Sequence, residues 1–339
     1  MSIPRPAPAT GSPASSSRMP RALYLAGYAQ ADIALDEQWT VTPGLRFDYF
    51  SLDADSASLD SRTESQLSPR LTISYRPQEQ ILLWAGWSQA FRSPSLTELY
   101  NDGTHFSVPG FALGPFVTFT GNNVFVPNPE LKAETSNQFE IGGRFFERGP
   151  LGPGSTLTAS GSLYYADVKD YVDQVVTFID MDTMSGAFPA FTVSGTTTTR
   201  NIDAVLYGAE FELALDTPDW FGGIGIQVPR GEARDGSYLG SIPQDRVAMT
   251  LGWRPISDVE IGGRATFARG QDNVPDETNP GDGYSVFDVF ASYQPGKGPL
   301  EGAIFSAGVD NILDRDFRIY PNELDQPGRT FKISAALEF

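Results

Sequence analysis

From residue 21 onward, apolar side chains recur at every second position in segment after segment. A period of two marks β-strands with one apolar and one polar face. Leu23, Leu25, Ala29, Ile33 and Leu35 alternate with Tyr24, Tyr28, Gln30 and Asp32, and Val41, Leu45, Phe47 and Tyr49 with Thr42, Arg46 and Asp48. Leu71, Ile73 and Tyr75 oppose Arg70, Thr72 and Ser74; Phe139, Ile141 and Phe145 oppose Gln138, Glu140 and Arg144. The beat returns from Tyr207 to Leu215, from Val247 to Trp253, from Val259 to Phe267 and from Phe331 to Phe339. About thirteen segments follow from this pattern, at 22–35, 38–53, 66–76, 79–91, 134–147, 155–180, 197–216, 219–230, 243–254, 257–270, 283–294, 299–312 and 329–339. Several are about twice the usual 5–6 residues of a strand in a soluble protein.

The joins between segments alternate in length. Short ones carry turn residues, as at Asp36-Glu37, Pro77-Gln78-Glu79, Arg148 to Gly154, Thr217-Pro218, Ile256-Ser257 and Gly296-Lys297-Gly298. Long ones lie at 54–65, 92–133, 181–196, 231–242, 271–282 and 313–328. Short turns on one side and long loops on the other are the layout of a transmembrane β-barrel whose long loops are extracellular. The predicted class is therefore all-β, an antiparallel transmembrane barrel. A soluble sandwich or propeller would also alternate, but its strands are shorter, and no repeat of about forty residues is present.

Charge agrees with this assignment. Arg46, Arg144, Arg246, Arg254 and Arg264, with Asp48, Glu140, Glu210, Glu212 and Glu260, fall opposite the apolar face. They belong there if that face meets hydrocarbon, because Arg or Lys at mid-bilayer costs about 2–4 kcal/mol. Trp39, Trp84, Trp87, Trp220 and Trp253 are expected in the aromatic girdles at the membrane interfaces. No apolar run reaches the length of about eighteen residues that a transmembrane helix needs. The chain carries 24 Lys+Arg against 42 Asp+Glu, a net charge of −18, which excludes nucleic-acid binding through a general basic surface. The absence of cysteine excludes a disulfide framework, a thiolate metal site and a cysteine nucleophile. Residues 1–20, Met1 to Pro20, are rich in Pro, Ser and Ala and are expected to be a low-complexity, disordered start without the apolar core of a signal peptide.

Two stretches carry more specific information. Phe91-Arg92-Ser93-Pro94-Ser95-Leu96-Thr97-Glu98-Leu99-Tyr100 and Asn128-Pro129-Glu130-Leu131-Lys132-Ala133-Glu134-Thr135 flank one long loop. Together they resemble TonB-dependent outer-membrane receptors. Phe91, Arg92 and Pro94 are similar to that family's FRAP box, and Asn128, Pro129 and Leu131 to its NPNL box. Asn101 to Phe106 resembles the version found in haem receptors, Val309 to Asp314 the penultimate motif, and Phe339 the terminal aromatic read by the barrel-assembly machinery. The chain departs from the pattern at Ser93, where Ala is usual, and at Glu130, where Asn is usual.

The resemblance covers nearly everything from Arg21 onward and implies a multi-pass barrel in the lipid of the Gram-negative outer membrane. It implies haem or a haemoprotein as ligand, no enzymatic cofactor, and contact with the TonB system only through a plug domain. Such receptors have a barrel of about 22 strands, so residues 21–339 would be its C-terminal part, with the plug and about nine strands unaccounted for. An odd number of antiparallel strands cannot close without a parallel seam, and open edges in lipid leave backbone groups unpaired. The chain alone is not expected to form a pore, whether it is truncated, split or a remnant.

Within the boxed loop stands His105, the single histidine of the chain. Neutral imidazole binds iron through one ring nitrogen, and its availability depends on the partner of the other. The resemblance gives His105 the role of haem-iron ligand, with Asp102 or a nearby carbonyl as expected partner. Phe106, Val108, Phe111, Leu113, Phe116, Val117 and Phe119 make the loop apolar enough for a porphyrin face. Tyr100 is the second candidate, as a phenolate oxygen ligand. A second axial imidazole would have to come from elsewhere, so the segment is expected to bind haem weakly, five-coordinate or with help from Tyr. A siderophore or another nutrient is the alternative ligand. His105, Ser107 and Asp102 also supply the residue types of a hydrolytic triad, but no nucleophile-elbow motif accompanies them.

Overall fold

The computed structural model describes residues 21–53, 61–112, 118–177, 180–188, 190–275, 279–322 and 324–337. The low-complexity start and Phe339 lie outside these described residues. In chain order the elements are β1 (Arg21–Gln30), β2 (Ile33–Ala34), β3 (Trp39–Asp53), β4 (Arg62–Gln78), β5 (Ile81–Arg92), α1 (Leu96–Tyr100), β6 (Gly103–Ala112), β7 (Thr118–Phe125), β8 (Glu134–Arg148) and β9 (Thr156–Val176). They continue with β10 (Asp180–Ala187), β11 (Ala190–Asp216), β12 (Trp220–Ala233), β13 (Arg246–Ile256), β14 (Val259–Ala268), β15 (Tyr284–Tyr293), β16 (Ala303–Asp310) and β17 (Thr330–Leu337).

Every segment expected from the alternation is a strand, the first of them interrupted between β1 and β2. The joins at 92–133 and 181–196, expected as loops, instead hold α1, the hairpin β6–β7, β10 and the start of β11. Antiparallel ladders form one continuous wall: β1 and β2 on β3, then β4, β5, β8, β9, β11 and on in sequence to β17. One pairing departs from the antiparallel expectation. β7 runs parallel to the first part of β11, Ala190 facing Thr118 and Thr197 facing Phe125.

Register carries one apolar stripe across the wall. Phe47 pairs with Leu67, Leu71 with Trp87, Trp87 with Phe139, Phe139 with Tyr165 and Tyr165 with Tyr207. Further on, Ile224 pairs with Met249, Trp253 with Ile261 and Ala307 with Ile333. Most of these large side chains stand exposed, Leu251 at 66% and Ile141 at 57%. Side chains directly opposite on one face are the unit of sheet stabilisation, and here the shared face is the one that meets hydrocarbon. Trp39 stacks on Tyr75, ring centroids 4.4 Å apart, and Trp220 on Trp253 at 5.8 Å, both beside short turns. Trp84 is a correction to the girdle: it sits in phase with the polar face, and its indole N–H donates to Glu140 at 2.9 Å.

The polar face is held by charge pairs. Arg46 makes a two-pronged contact with Asp48, its Nε and Nη2 at 2.9 and 2.7 Å. Arg254 bridges Asp216 and Glu260 at 2.5 and 2.7 Å and lies over the Phe221 ring, 4.6 Å from its centroid. Among the described residues the registered ladders join β1 to β3 and β17 to β16. β1 is exposed along its whole length and β17 along nearly all of it, as edge strands are.

Among the described residues the apolar clusters lie where the long loops meet the wall. Phe50, Leu52, Leu99 and Leu131 form one, with Leu96, Tyr100 and Val172 against it. Ala204, Ala233 and Leu239 form another, with Tyr171 and Ile242 packed on it. Phe50 and Leu52 continue the phase of Arg46 and Asp48, so α1 folds over the polar face of the wall. Two buried glutamines tie two further loops together. Gln244 donates to the carbonyls of Arg269 and Asp282, and Gln271 to those of Ile242 and Pro243.

Candidate functional site

The two boxes meet at the top of β5 and β8, where Arg92 faces Glu134 in register. The Arg92 guanidinium donates to both Glu134 oxygens at 2.7 and 2.8 Å and to Glu98 at 3.0 Å. Glu134 in turn accepts from the backbone N–H of Val172 at 2.7 Å. This fork geometry is one that Arg supplies and Lys does not.

Ser95 starts α1 through a capping box: its side chain accepts from the Glu98 N–H, and Glu98 accepts from the Ser95 N–H at 2.7 Å. Burial alone would push the Glu98 carboxyl up. The Ser95 hydrogen bonds and the Arg92 charge prevail and hold it below the usual range. Pro94, Leu99 and Leu131 are fully buried, so the apolar members of the boxes build the loop's own core. Thr199 donates to the Glu98 carbonyl at 2.8 Å and joins the helix to β11.

In the second box the Asn128 amide donates to the Thr199 carbonyl at 2.8 Å, while its Oδ1 accepts from the Glu130 N–H at 3.1 Å. Asn201 accepts from the Lys132 N–H and donates to the Lys132 and Asp170 carbonyls. Of the two departures from the family pattern, Glu130 is exposed and Ser93 donates to Glu64 at 3.1 Å.

His105 occupies a β-bulge. Thr104 pairs with Val124 and Phe106 with Asn123, which leaves His105 as the extra residue of β6 without a cross-strand partner. Bulges re-aim the side chain that they insert. The imidazole lies beside Phe125, ring centroids 4.4 Å apart, with Phe106 edge-on at 5.0 Å. The expected Asp102 partner is corrected: Nδ1 lies 2.9 Å from the hydroxyl of Thr197, on β11. Thr197 reaches Asn123 Oδ1 at 2.5 Å, and Asn123 reaches the Thr177 carbonyl at 2.8 Å. His105 itself is exposed.

Tyr100 ends α1 with its ring against the Phe50 cluster, a site separate from the His105 bulge. Leu113, Phe116 and Val117 lie outside the described residues, as do the side chains of Val108, Phe111 and Phe119. Thr197, Asn123 and Phe125 are the residues that the sequence did not point to. The Thr-rich run from 196 to 199 marks nothing locally, and the connection to His105 spans 92 positions.

A wall with one face for hydrocarbon and one lined by ion pairs, its long loops packed together at one end, defines a membrane-spanning β-barrel. Residues 2–312 match the family described as "TonB dependent receptor-like, beta-barrel", and the chain belongs to that family. It is a multi-pass outer-membrane β-barrel protein. The chain is 29% identical over 322 residues to a "Hemin receptor" of Yersinia pestis, covering 93% of itself and 44% of that relative. It is 25% identical over 357 residues to a "Ferric enterobactin receptor" of Pseudomonas aeruginosa, covering 96% of itself and 43% of the relative. Among solved structures, a copper transporter, OprC, aligns with a TM-score of 0.72 at 19% identity, over 94% of this chain and 48% of that one. The chain thus spans less than half the length of the curated relatives it matches, and no plug domain lies among the described residues.

Proposed function

We propose that the chain is barrel wall and ligand-reading loop of a receptor that takes up haem, free or delivered by a haemoprotein, with His105 as the iron ligand. The observation that carries this reading is the bulge at His105. It presents the single imidazole of the chain on an exposed face, with Phe106 and Phe125 beside the ring and Nδ1 engaged. Apolar rings with one oriented nitrogen are what a porphyrin and its iron require. The similarity to a hemin receptor favours the same ligand. The protein acts as a receptor and not as a catalyst, and its coupling to the TonB system runs through a plug domain.

Haem titration followed in the Soret band tests this. The purified chain in detergent is expected to bind haem weakly, with an imidazole-ligated spectrum, and His105→Ala to lose that spectrum and at least tenfold in affinity, about 1.4 kcal/mol. Equal binding by both chains overturns the assignment. Tyr100→Phe is expected to leave the spectrum unchanged, since that ring packs in the loop core. The similarity to a ferric enterobactin receptor supports a siderophore as the competing ligand. That reading predicts binding of ferric enterobactin that His105→Ala does not alter.

A further inference from the structure

The hydrogen bonds behind His105 form a chain with only one consistent direction. It starts at the backbone carbonyl of Thr177, which can only accept. The Asn123 side chain therefore turns its NH2 toward that carbonyl, at 2.8 Å, and its own carbonyl Oδ1 toward Thr197. Oδ1 also can only accept, so the single hydroxyl proton of Thr197 is committed to Asn123, at 2.5 Å. Toward His105 the Thr197 oxygen then has lone pairs and no proton. The 2.9 Å contact exists only if Nδ1 carries the hydrogen.

We infer that Thr197 and Asn123 are positioning residues that fix the tautomer of His105, holding neutral imidazole in the Nδ1–H form so that Nε2 presents a bare lone pair. The inference rests on the haem reading for its purpose, but not for its geometry. Thr197 and Asn123 are each 1% exposed, so bulk water does not compete for their hydrogen bonds. The ring at the end of the relay is exposed, so the nitrogen left bare is available to an incoming ligand.

The backbone explains why the relay reaches across three strands. β7 lies between β6 and β11, paired antiparallel with the first and parallel with the second. Thr197 faces Phe125 in that parallel register, and Asn123 and Phe125, two residues apart on β7, share a face. The bulge at His105 brings its ring onto the same face. A free imidazole has no such constraint, and either nitrogen can carry the proton. Partners behind a ligating histidine typically change metal affinity by 10–100-fold when removed.

A single histidine makes the tautomer directly measurable without any ligand. The whole chain, labelled with 15N in the histidine ring and held in detergent micelles, gives one pair of ring nitrogen signals. With the ring neutral, Nδ1 is expected to be the protonated nitrogen and Nε2 the bare one. Thr197→Val is expected to move the population toward the opposite tautomer and to weaken Soret-monitored haem binding by about tenfold. Thr197→Ser, which restores the hydroxyl, is expected to recover both. A wild-type spectrum with the proton on Nε2 overturns the inference even if Thr197→Val fails to fold. So does a Thr197→Val tautomer identical to wild type. If the tautomer is as stated but haem binding ignores His105→Ala, the haem reading fails and the relay stands. If haem binding needs His105 yet ignores Thr197→Val, the positioning role fails and the haem reading stands.

Discussion

Arg92 shows how much one side chain can organise. It is forked between Glu134 and Glu98 and so ties the strand end, the short helix and the far side of the loop to one cation. The carboxyl of Glu98 is held below its ordinary range in the folded loop. Its contribution is therefore complete above the range where a free glutamate titrates and is lost progressively as pH falls from that range through the lowered folded value. Protection of the α1 and β6 amides against hydrogen exchange, corrected for intrinsic rates, should be full above the ordinary glutamate range and fall progressively from that range downward. Glu98→Gln should loosen the same amides already at neutral pH and remove that acid transition; an acid transition that persists unchanged in Glu98→Gln would contradict the assignment. At this scale the sequence showed which residues mattered more readily than what they touch. Arg92, Pro94 and Leu131 stood out as members of boxes, and His105 as the single imidazole. The Arg92–Glu134 contact spans 42 positions and the His105–Thr197 contact 92, and no local periodicity encodes either.

Strands of the wall fit by placing large side chains over glycines of their neighbours. A Cβ added at Gly252 would come within 2.0 Å of the Phe221 ring, and one at Gly142 within 2.2 Å of Trp84. The Phe221 ring in turn lies under the Arg254 guanidinium, so a bulkier residue at 252 would disturb an ion pair as well as a packing contact. Gly252→Val should cost about 1–3 kcal/mol by overpacking and reduce the fraction of chain that migrates as a folded, heat-modifiable band. Gly27→Val, where nothing lies within 4 Å, should migrate as wild type. The wall was legible because lipid on one side and charge on the other impose strict alternation. Where both faces of a strand are wet, that signal fades although the backbone ladder continues. Hence β4 begins at Arg62 and not at 66, with Glu64 already paired to Phe50. β6 was hidden by Pro109 and Gly110, which break the alternation within it.

Across the whole molecule, the two faces of the wall should tolerate charge very differently. Leu251 projects 66% exposed on the apolar face, and Thr250 beside it belongs to the polar one. Leu251→Arg should lower the folding free energy in a bilayer by about 2–4 kcal/mol if it lies near the midplane, and Thr250→Arg by far less. Denaturant titration of the protein in vesicles reads both, and equal costs would mean that the face assignment is wrong. The parallel ladder between β7 and β11 has a consequence for how such a surface changes over generations. A ladder is made of main-chain groups and is indifferent to most of the side chains it carries. Replacements of β7 and β11 side chains outside the relay should therefore leave the ladder in register and the 2.9 Å contact from His105 to Thr197 in place.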